Sequence, residues 1–295
     1  MHWKSGSPWP SLRGALYDWY LAAAGGFWGA RAATGGGAAL HIQLDRDWRI
    51  ASARLAVLNR GITTVPAGAL TTAVHAFDAS TGNEFTLPSG QHSAAVVPEL
   101  PPQSIVRIDG PTWPASAAPG AVLLWRIALV NASSGETVSE NEYLLSSLTT
   151  DQSVAPNLTA LAAMRGPAAP SRVELSVTAV LASANGSTTA IALHRQPGLP
   201  GEVAVLVSIT APPRCAVSVG VRVLLHCSQA AVTSGTGYVD DRVLPQFADA
   251  GLFTMIPGET RSVVITARNS SLYLDSLFVT VAGWNVAPVR ANVTT

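Results

Sequence analysis

Residues 3–20 read WKSGSPWPSLRGALYDWY, and this stretch indicates the kind of fold to which the start of the chain belongs. A strand end is followed by a loop bracketed by prolines and then by an amphipathic helix whose apolar side chains recur at helical spacing from Ser11 onward. One such unit does not bury its own apolar surface, because a parallel strand needs neighbours on both edges and a helix over each face. We therefore expect residues 1–37 to be the remnant of a larger α/β unit. The helix is expected to stop at Gly25-Gly26, with a short connector over residues 27–31.

The composition restricts the class of protein. The chain has 295 residues, of which 48% are hydrophobic, and this is enough for the cores of about two domains. Only 12% of the residues are charged and the formal net charge is zero, so we expect no nucleic acid partner. No run of 18 apolar residues is present, and we therefore expect no membrane span.

From Leu40 onward the hydrophobic period becomes two, which is typical of half-buried strands. Turn-rich segments separate the runs that we predict as strands, at residues 40–44, 54–58, 70–77, 84–87, 93–97, 104–108, 123–130 and 142–146. Short strands at this spacing, with no long helix between them, predict an antiparallel β-sandwich over residues 38–148.

A polar segment that contains Pro156 separates this region from a second set of strands. The second set is predicted at residues 173–180, 188–193, 203–209, 217–225, 261–267 and 277–281. It predicts a second antiparallel sandwich over residues 149–295, so the fold class is mainly β.

Several motifs of the chain resemble one enzyme family. They are Trp3-Lys4, Pro8-Trp9-Pro10, Leu12-Arg13-Gly14, Leu16-Tyr17-Asp18, Gly25-Gly26-Phe27, Leu40-His41-Ile42-Gln43, the residues 241–245, Ile256-Pro257-Gly258-Glu259 and Gly283-Trp284-Asn285. In this order they resemble glycoside hydrolase family 2, in the branch of the exo-β-D-glucosaminidases and the mannosylglycoprotein endo-β-mannosidases. Residues 3–31 resemble the last strand, loop and helix of the (β/α)8 barrel of that family, and the two sandwiches resemble its immunoglobulin-like domains. The chain departs from the family at Asp249-Ala250-Gly251, where the family tends to Asp-Asn-Tyr.

The resemblance implies a retaining glycoside hydrolase that cleaves O-glycosyl bonds of β-linked mannosides or glucosaminides in carbohydrate metabolism. Such enzymes use two carboxylates about 5–5.5 Å apart, as nucleophile and acid/base. In the family both are glutamates on barrel strands that would precede Trp3, and none of the 18 acidic residues of this chain matches either motif. We therefore assign no catalytic residue and expect this chain to be a fragment that is inactive by itself. Its expected partners are the catalytic barrel and N-terminal domains of the parent enzyme.

Trp3 and Trp9 are the candidate substrate-binding residues. By resemblance Trp3 lies at the carboxyl end of a barrel strand, where active sites form, and an aromatic face there packs against a sugar ring. Both tryptophans equally suit a packing role in the lid of a barrel.

The sequence offers no candidate for a metal or a cofactor. The six histidines are scattered, and Asp240-Asp241, next to Arg242, suits a solvated turn better than a calcium site. Cys215 and Cys227 are compatible with a disulfide or with two free thiols. Free thiols are favoured, because twelve residues of extended chain exceed the reach of a disulfide unless the strand turns back.

Five N-glycosylation sequons occur, and this is more than we expect by chance. They lie at Asn131, Asn157, Asn185, Asn269 and Asn292. Their number favours a parent protein of the secretory pathway, in a vacuolar, lysosomal or extracellular location.

One alternative function remains at this point. A free-standing pair of sandwiches is also compatible with a glycan-binding or adhesion module without enzymatic activity. The glycosidase interpretation accounts for the strand–loop–helix unit at residues 3–31, whereas the module does not.

Overall fold

The computed structural model describes residues 25–45, 54–87, 93–118, 120–146, 164, 173–182, 188–195, 203–210, 246–248, 251–267 and 278–294. They open with helix α1, Gly25–Ala33, which is followed by a 3-10 turn at Gly35–Gly37. The expected connector over residues 27–31 is wrong, because these residues are helical, and helix α1 also includes Gly25 and Gly26. The stop comes at the next glycines, since Gly35, Gly36 and Gly37 all adopt positive φ. The helix predicted from Ser11 lies outside the described residues.

In the first sandwich, the residues that the structure describes form seven strands. They are β1 Leu40–Asp45, β2 Arg54–Asn59, β3 Leu70–Asp78, β4 Ser93–Val96, β5 Ser104–Asp109, β6 Val122–Asn131 and β7 Thr137–Ser146. One sheet has the order β1-β2-β5 and the other β4-β3-β6-β7, with every pair antiparallel. Ile42 and Val57 of the first sheet pack with Trp125, Ile127 and other buried residues of the second.

The described residues of the second unit contain eight strands. They are β8 Ser176–Leu181, β9 Thr188–His194, β10 Ala204–Thr210, β11 Gln246–Ala248, β12 Phe253–Met255, β13 Thr260–Ala267, β14 Phe278–Ala282 and β15 Val289–Thr294. Their order is β11-β13-β9-β8-β15-β14-β10-β12. The contact between β8 and β15 is parallel, with Val293 opposite Ala179, whereas the other pairs are antiparallel. This short parallel contact joins two four-stranded halves around one apolar core.

The mainly β class with antiparallel sheets is confirmed, and several strands differ in detail. The strand predicted at residues 84–87 is reduced to one bridge between Phe77 and Glu84. Strands β11, β12 and β15 were not predicted; the first two have three residues each, which are too few to show an alternating pattern. The strand predicted at residues 217–225 lies outside the described residues. Within the part of the chain that is described, no helix is both long enough and apolar enough to cross a membrane.

Candidate functional site at the junction of the sandwiches

Strand β6 is buried on both faces, and this places a junction on its outer side. Its odd-numbered residues, such as Trp125 and Ile127, face the core of the first sandwich. Leu124, on the opposite face, is completely buried in a separate cluster. Its neighbours across the sheet are Phe77 of β3 and Leu144 of β7. The outer face of this sheet therefore carries an apolar row.

The second sandwich covers that row. Val203 and Met164 are buried in the same cluster, and Ile256 and Trp284 pack against it. The backbone N–H of Val203 donates to the carbonyl of Ala79 at 2.9 Å. Burial of apolar surface and a backbone hydrogen bond thus join the two sandwiches.

A charged row lies beside the apolar one. Arg126 and Glu142 are opposite each other in the β6–β7 pair, with Arg126 Nη2 3.0 Å from Glu142 Oε1. Arg126 Nη2 also donates to Glu259 Oε2 of the second sandwich, at 2.7 Å. Arg261 completes the ring, donating from Nη2 to Glu142 Oε1 at 2.7 Å and from Nε to Glu259 Oε1 at 2.9 Å. Two arginines and two glutamates, one of each from either sandwich, therefore form a closed network.

The network is shielded from water. The side chains of Arg126, Glu142 and Glu259 retain 14%, 18% and 16% of their full exposure. Burial by itself would raise the pKa of the Glu259 carboxyl. The charge of Arg126 and the hydrogen bonds from Arg126, Arg261 and the Ile256 N–H outweigh burial, so this pKa lies below its usual value.

Burial acts on Arg261 in the opposite direction, since it would lower the pKa of the guanidinium. The carboxylates of Glu142, Glu259 and Glu140 outweigh that effect and raise the pKa above its ordinary value. Both partners of the Glu259–Arg261 pair are therefore held in the charged form at neutral pH.

Strand β12 adds polar contacts to the network. The backbone N–H of Thr254 donates to Glu142 Oε2 at 3.2 Å, and its hydroxyl donates to the same oxygen. The carbonyl of Thr254 accepts a hydrogen bond from Arg126 at 3.1 Å. Next to it, the Phe253 ring lies 5.1 Å from the Arg261 guanidinium carbon, in a cation–π arrangement.

Helix α1 reaches both sandwiches. The carbonyl of Ala32 accepts a hydrogen bond from Asn141 Nδ2 of β7 at 3.4 Å. Gly251 of the second sandwich lies against the Trp28 indole so closely that a Cβ would be 2.8 Å from two ring carbons. The departure from the family motif at Asp249-Ala250-Gly251 therefore ends in a glycine that accommodates Trp28.

The arrangement suits a structural role better than acid–base chemistry. A general acid needs a carboxyl with a raised pKa, whereas Glu259 is held ionised by two guanidinium groups. In the described ranges, no group of three or more histidine, cysteine or acidic side chains has the geometry to hold a metal ion.

Most residues predicted as sites from the sequence are not among those that the structure describes. Trp3, Trp9, Cys215, Cys227, Asp240, Asp241 and three sequons, at Asn157, Asn185 and Asn269, are outside the described residues. Asn131 lies at the hairpin turn between β6 and β7. The Asn131 Oδ1 accepts hydrogen bonds from the Ser133 N–H at 2.9 Å and from the Ser133 hydroxyl at 2.7 Å. Asn292 is exposed on β15. The site predictions remain untested.

Sequence reasoning missed the charged junction, although one signal for it was present. Residues 122–130 form an apolar run that only Arg126 interrupts, and such a continuous run indicates a strand buried on both faces. A single arginine within it requires an acidic partner. The identity of that partner was not visible, because Glu259 lies 133 residues away.

Comparison with solved structures relates this architecture to a known enzyme. The crystal structure of the exo-chitosanase CsxA from Amycolatopsis orientalis matches with a TM-score of 0.67 and 22% sequence identity, over 99% of this chain and 30% of that chain. The chain shares its fold with part of a glycosidase. The exo-β-D-glucosaminidase CsxA, in a study of its inhibition by a glucosamine-configured castanospermine, matches with a TM-score of 0.66 over the same shares of the two chains.

At 22% sequence identity the match shows a shared fold and does not by itself show a shared function. This chain spans about a third of the length of the exo-chitosanase that it matches. No model of a known protein family matches the chain, and no curated protein matches it.

Proposed function

We propose that this chain is the C-terminal accessory portion of a retaining glycoside hydrolase that acts on β-linked mannosides or glucosaminides. The observation that supports the proposal is the shared fold, which extends over 99% of this chain at a TM-score of 0.67. The resemblance of the motifs to the exo-β-D-glucosaminidase and endo-β-mannosidase branch of glycoside hydrolase family 2 points in the same direction. The catalytic glutamates are proposed to lie in the barrel of the parent enzyme.

In this proposal the two sandwiches, at residues 38–148 and 149–295, support the catalytic barrel as one body. The buried network around Arg126 and Glu259 fixes their relative orientation. Helix α1, which lies in the proposed end of the barrel (residues 1–37), contacts both sandwiches through Ala32 and Trp28.

Trp3 and Trp9 are proposed as the contribution of this chain to substrate binding. A tryptophan at the carboxyl end of a barrel strand offers a flat apolar face to the C–H groups of a sugar ring. Sugar recognition by this chain would then depend on the presence of the other barrel strands.

A free-standing glycan-binding module is less well supported. Such a module needs an exposed aromatic face, but the exposed large apolar side chains among the described residues are all aliphatic. They are Ile62, Val96, Ile105, Val138 and Val180.

Hydrolysis assays test the proposal. The purified chain is expected to release no aryl alcohol from aryl β-mannosides or aryl β-glucosaminides, and addition of the barrel fragment of its parent should produce turnover of one of the two. The substrate that is turned over identifies the specificity. Turnover by the chain alone that disappears when one of its own acidic residues is replaced would refute the proposal.

A further inference from the structure

Arg195 is a buried arginine whose guanidinium forms no ion pair with the part of the chain that the structure describes. Only 2% of the residue is exposed. Its Nε and Nη1 atoms are buried and have no hydrogen-bond partner. Among the described residues, no carboxylate forms an ion pair with it.

The backbone explains why this side chain points inward. Arg195 directly follows β9, in which Ile191 and Leu193 are buried on one face. Because side chains alternate along a strand, Arg195 continues that core-facing row. Its N–H donates to the carbonyl of Glu259 at 2.9 Å, and its carbonyl accepts from the N–H of Gly258 at 2.8 Å, so the root of the side chain is fixed.

The nearby acidic groups do not satisfy this guanidinium. Glu259, opposite Arg195, uses its carboxylate for Arg126, Arg261 and the Ile256 N–H. Glu174 is exposed and acts on Arg195 only through its charge.

An arginine in this position requires a negative partner. Burial lowers the pKa of the Arg195 guanidinium and Glu174 opposes that effect, but arginine remains charged in proteins at neutral pH. A buried charge without hydrogen bonds is strongly unfavourable, whereas an oxyanion accepts short, strong hydrogen bonds from guanidinium N–H groups.

We propose that Arg195 forms an internal anion-binding site at the end of the core of the second sandwich, and that its ligand is a small oxyanion. Both a tetrahedral inorganic anion and a carboxylate meet this description. Inorganic phosphate and acetate are therefore the two probes. The proposal is independent of the glycosidase activity, since it requires no substrate.

Thermal unfolding of the full chain tests the site. A ligand that binds only the folded state raises the midpoint of unfolding. Chloride is replaced by phosphate or acetate at constant ionic strength, and the midpoint of unfolding should rise until the site is saturated. For a chain of this size, we expect a rise of roughly 2–4 °C at an anion concentration of about ten times the dissociation constant. Arg195→Met should abolish the rise, whereas Arg54→Met, at an exposed arginine, should retain it.

Arg195→Met is expected to fold, since replacing a buried charge by an apolar side chain of similar volume is often neutral or stabilising. If Arg195→Met does not fold, it is replaced by two other tests. They are the Arg195→Lys variant and calorimetric titration of the unmodified chain with phosphate and with acetate. An unmodified chain that binds neither anion, or a rise of equal size in the unmodified chain and the Arg195 variant, overturns the proposal.

Discussion

Arg126 of strand β6 and Glu259, in the turn before β13, form a 2.7 Å ion pair across the boundary between the two sandwiches. Arg126 also contacts Glu142, and Glu259 also contacts Arg261. Each charged group therefore has partners in both sandwiches, so the network resists rotation of one sandwich relative to the other.

Breaking this pair should destabilise the protein. Arg126→Met leaves the carboxylates of Glu142 and Glu259 with fewer partners, and we expect a loss of roughly 2–3 kcal/mol, below the ~3–5 kcal/mol typical of a completely buried pair. Urea unfolding of Arg126→Met, Glu259→Gln and the double variant gives the coupling energy, expected at about 1–2 kcal/mol.

The matched control is the exposed pair of Arg107 and Asp45. Arg107→Met should cost less than about 1 kcal/mol, because exposed ion pairs contribute little. Equal losses for Arg107→Met and Arg126→Met would contradict the importance of the junction.

Acid should weaken the junction through Glu259. Its pKa is lower in the folded protein than in the unfolded chain, so the unfolded state binds the proton more readily. The stabilisation is complete above the unfolded pKa of about 4.3 and is lost as the pH falls towards the folded value. Urea titrations between pH 6 and 3 should show a smaller loss for Glu259→Gln than for the unmodified chain. Parallel curves for the two proteins would exclude Glu259 as the source.

His41 should make stability pH-dependent in a higher range. It is 1% exposed, with Nδ1 3.1 Å from the Ser139 hydroxyl and Nε2 3.4 Å from Asn141 Nδ2. Burial, reinforced by the charge of Arg60, lowers the pKa of the imidazole. Between this lowered pKa and the unfolded value of about 6.5 the unfolded state binds more protons, so stability falls as the pH falls below about 6.5.

His41→Gln should remove that pH dependence between pH 7 and 5, as measured by unfolding in urea. His75→Gln is the control, since His75 is exposed and pairs with Glu84. The assignment to His41 fails if His75→Gln removes the dependence and His41→Gln retains it.

Gly251→Ala should be destabilising. The added Cβ would lie 2.8 Å from Cε2 and Cζ2 of Trp28, and an indole ring cannot bend away. Overpacking of this kind costs roughly 1–3 kcal/mol. Gly29 lies in helix α1 next to Trp28, and no atom is within 4 Å of the Cβ that Gly29→Ala would add. This substitution should stabilise the folded protein by up to about 1 kcal/mol. Thermal unfolding should show a lower midpoint for Gly251→Ala and a higher one for Gly29→Ala. A higher midpoint for Gly251→Ala would mean that Trp28 does not pack against Gly251.

Trp3 should matter only when the barrel is complete. If barrel fragment and chain together hydrolyse an aryl glycoside, Trp3→Ala should lower the turnover more than Trp48→Ala, because Trp3 is proposed to contact the sugar ring. The measurement is kcat and KM of the reconstituted enzyme. Equal effects of the two substitutions would assign Trp3 to packing.

The amino-acid sequence by itself determined the mainly β class and the positions of most long strands. The period of two along β1 is a local property of the chain, because a strand with one face in a core needs alternating apolar and polar residues. The nearly continuous apolar run of β6 is equally local, since a strand buried on both faces needs apolar residues throughout. The three-residue strands were missed, because their hydrogen bonds come from partners far along the chain. The end of the helix was misplaced, because Gly25 and Gly26 lie within α1 and the stop comes at the glycines with positive φ at 35–37.

Only the tertiary structure decided how the two sandwiches are joined. Arg126, Glu142 and Glu259 have no special spacing in the sequence, and only Arg126, inside the apolar run of residues 122–130, carries a local sign of burial. They become one buried network because the outer face of β6 and β7 packs against the turn before β13. Arg195 is a second example: its alternation with Leu193 places it in a core, but only the folded structure shows that its buried Nε and Nη1 atoms have no hydrogen-bond partner among the described residues. Desolvation of a charge depends on everything packed around it, and the sequence does not record that environment.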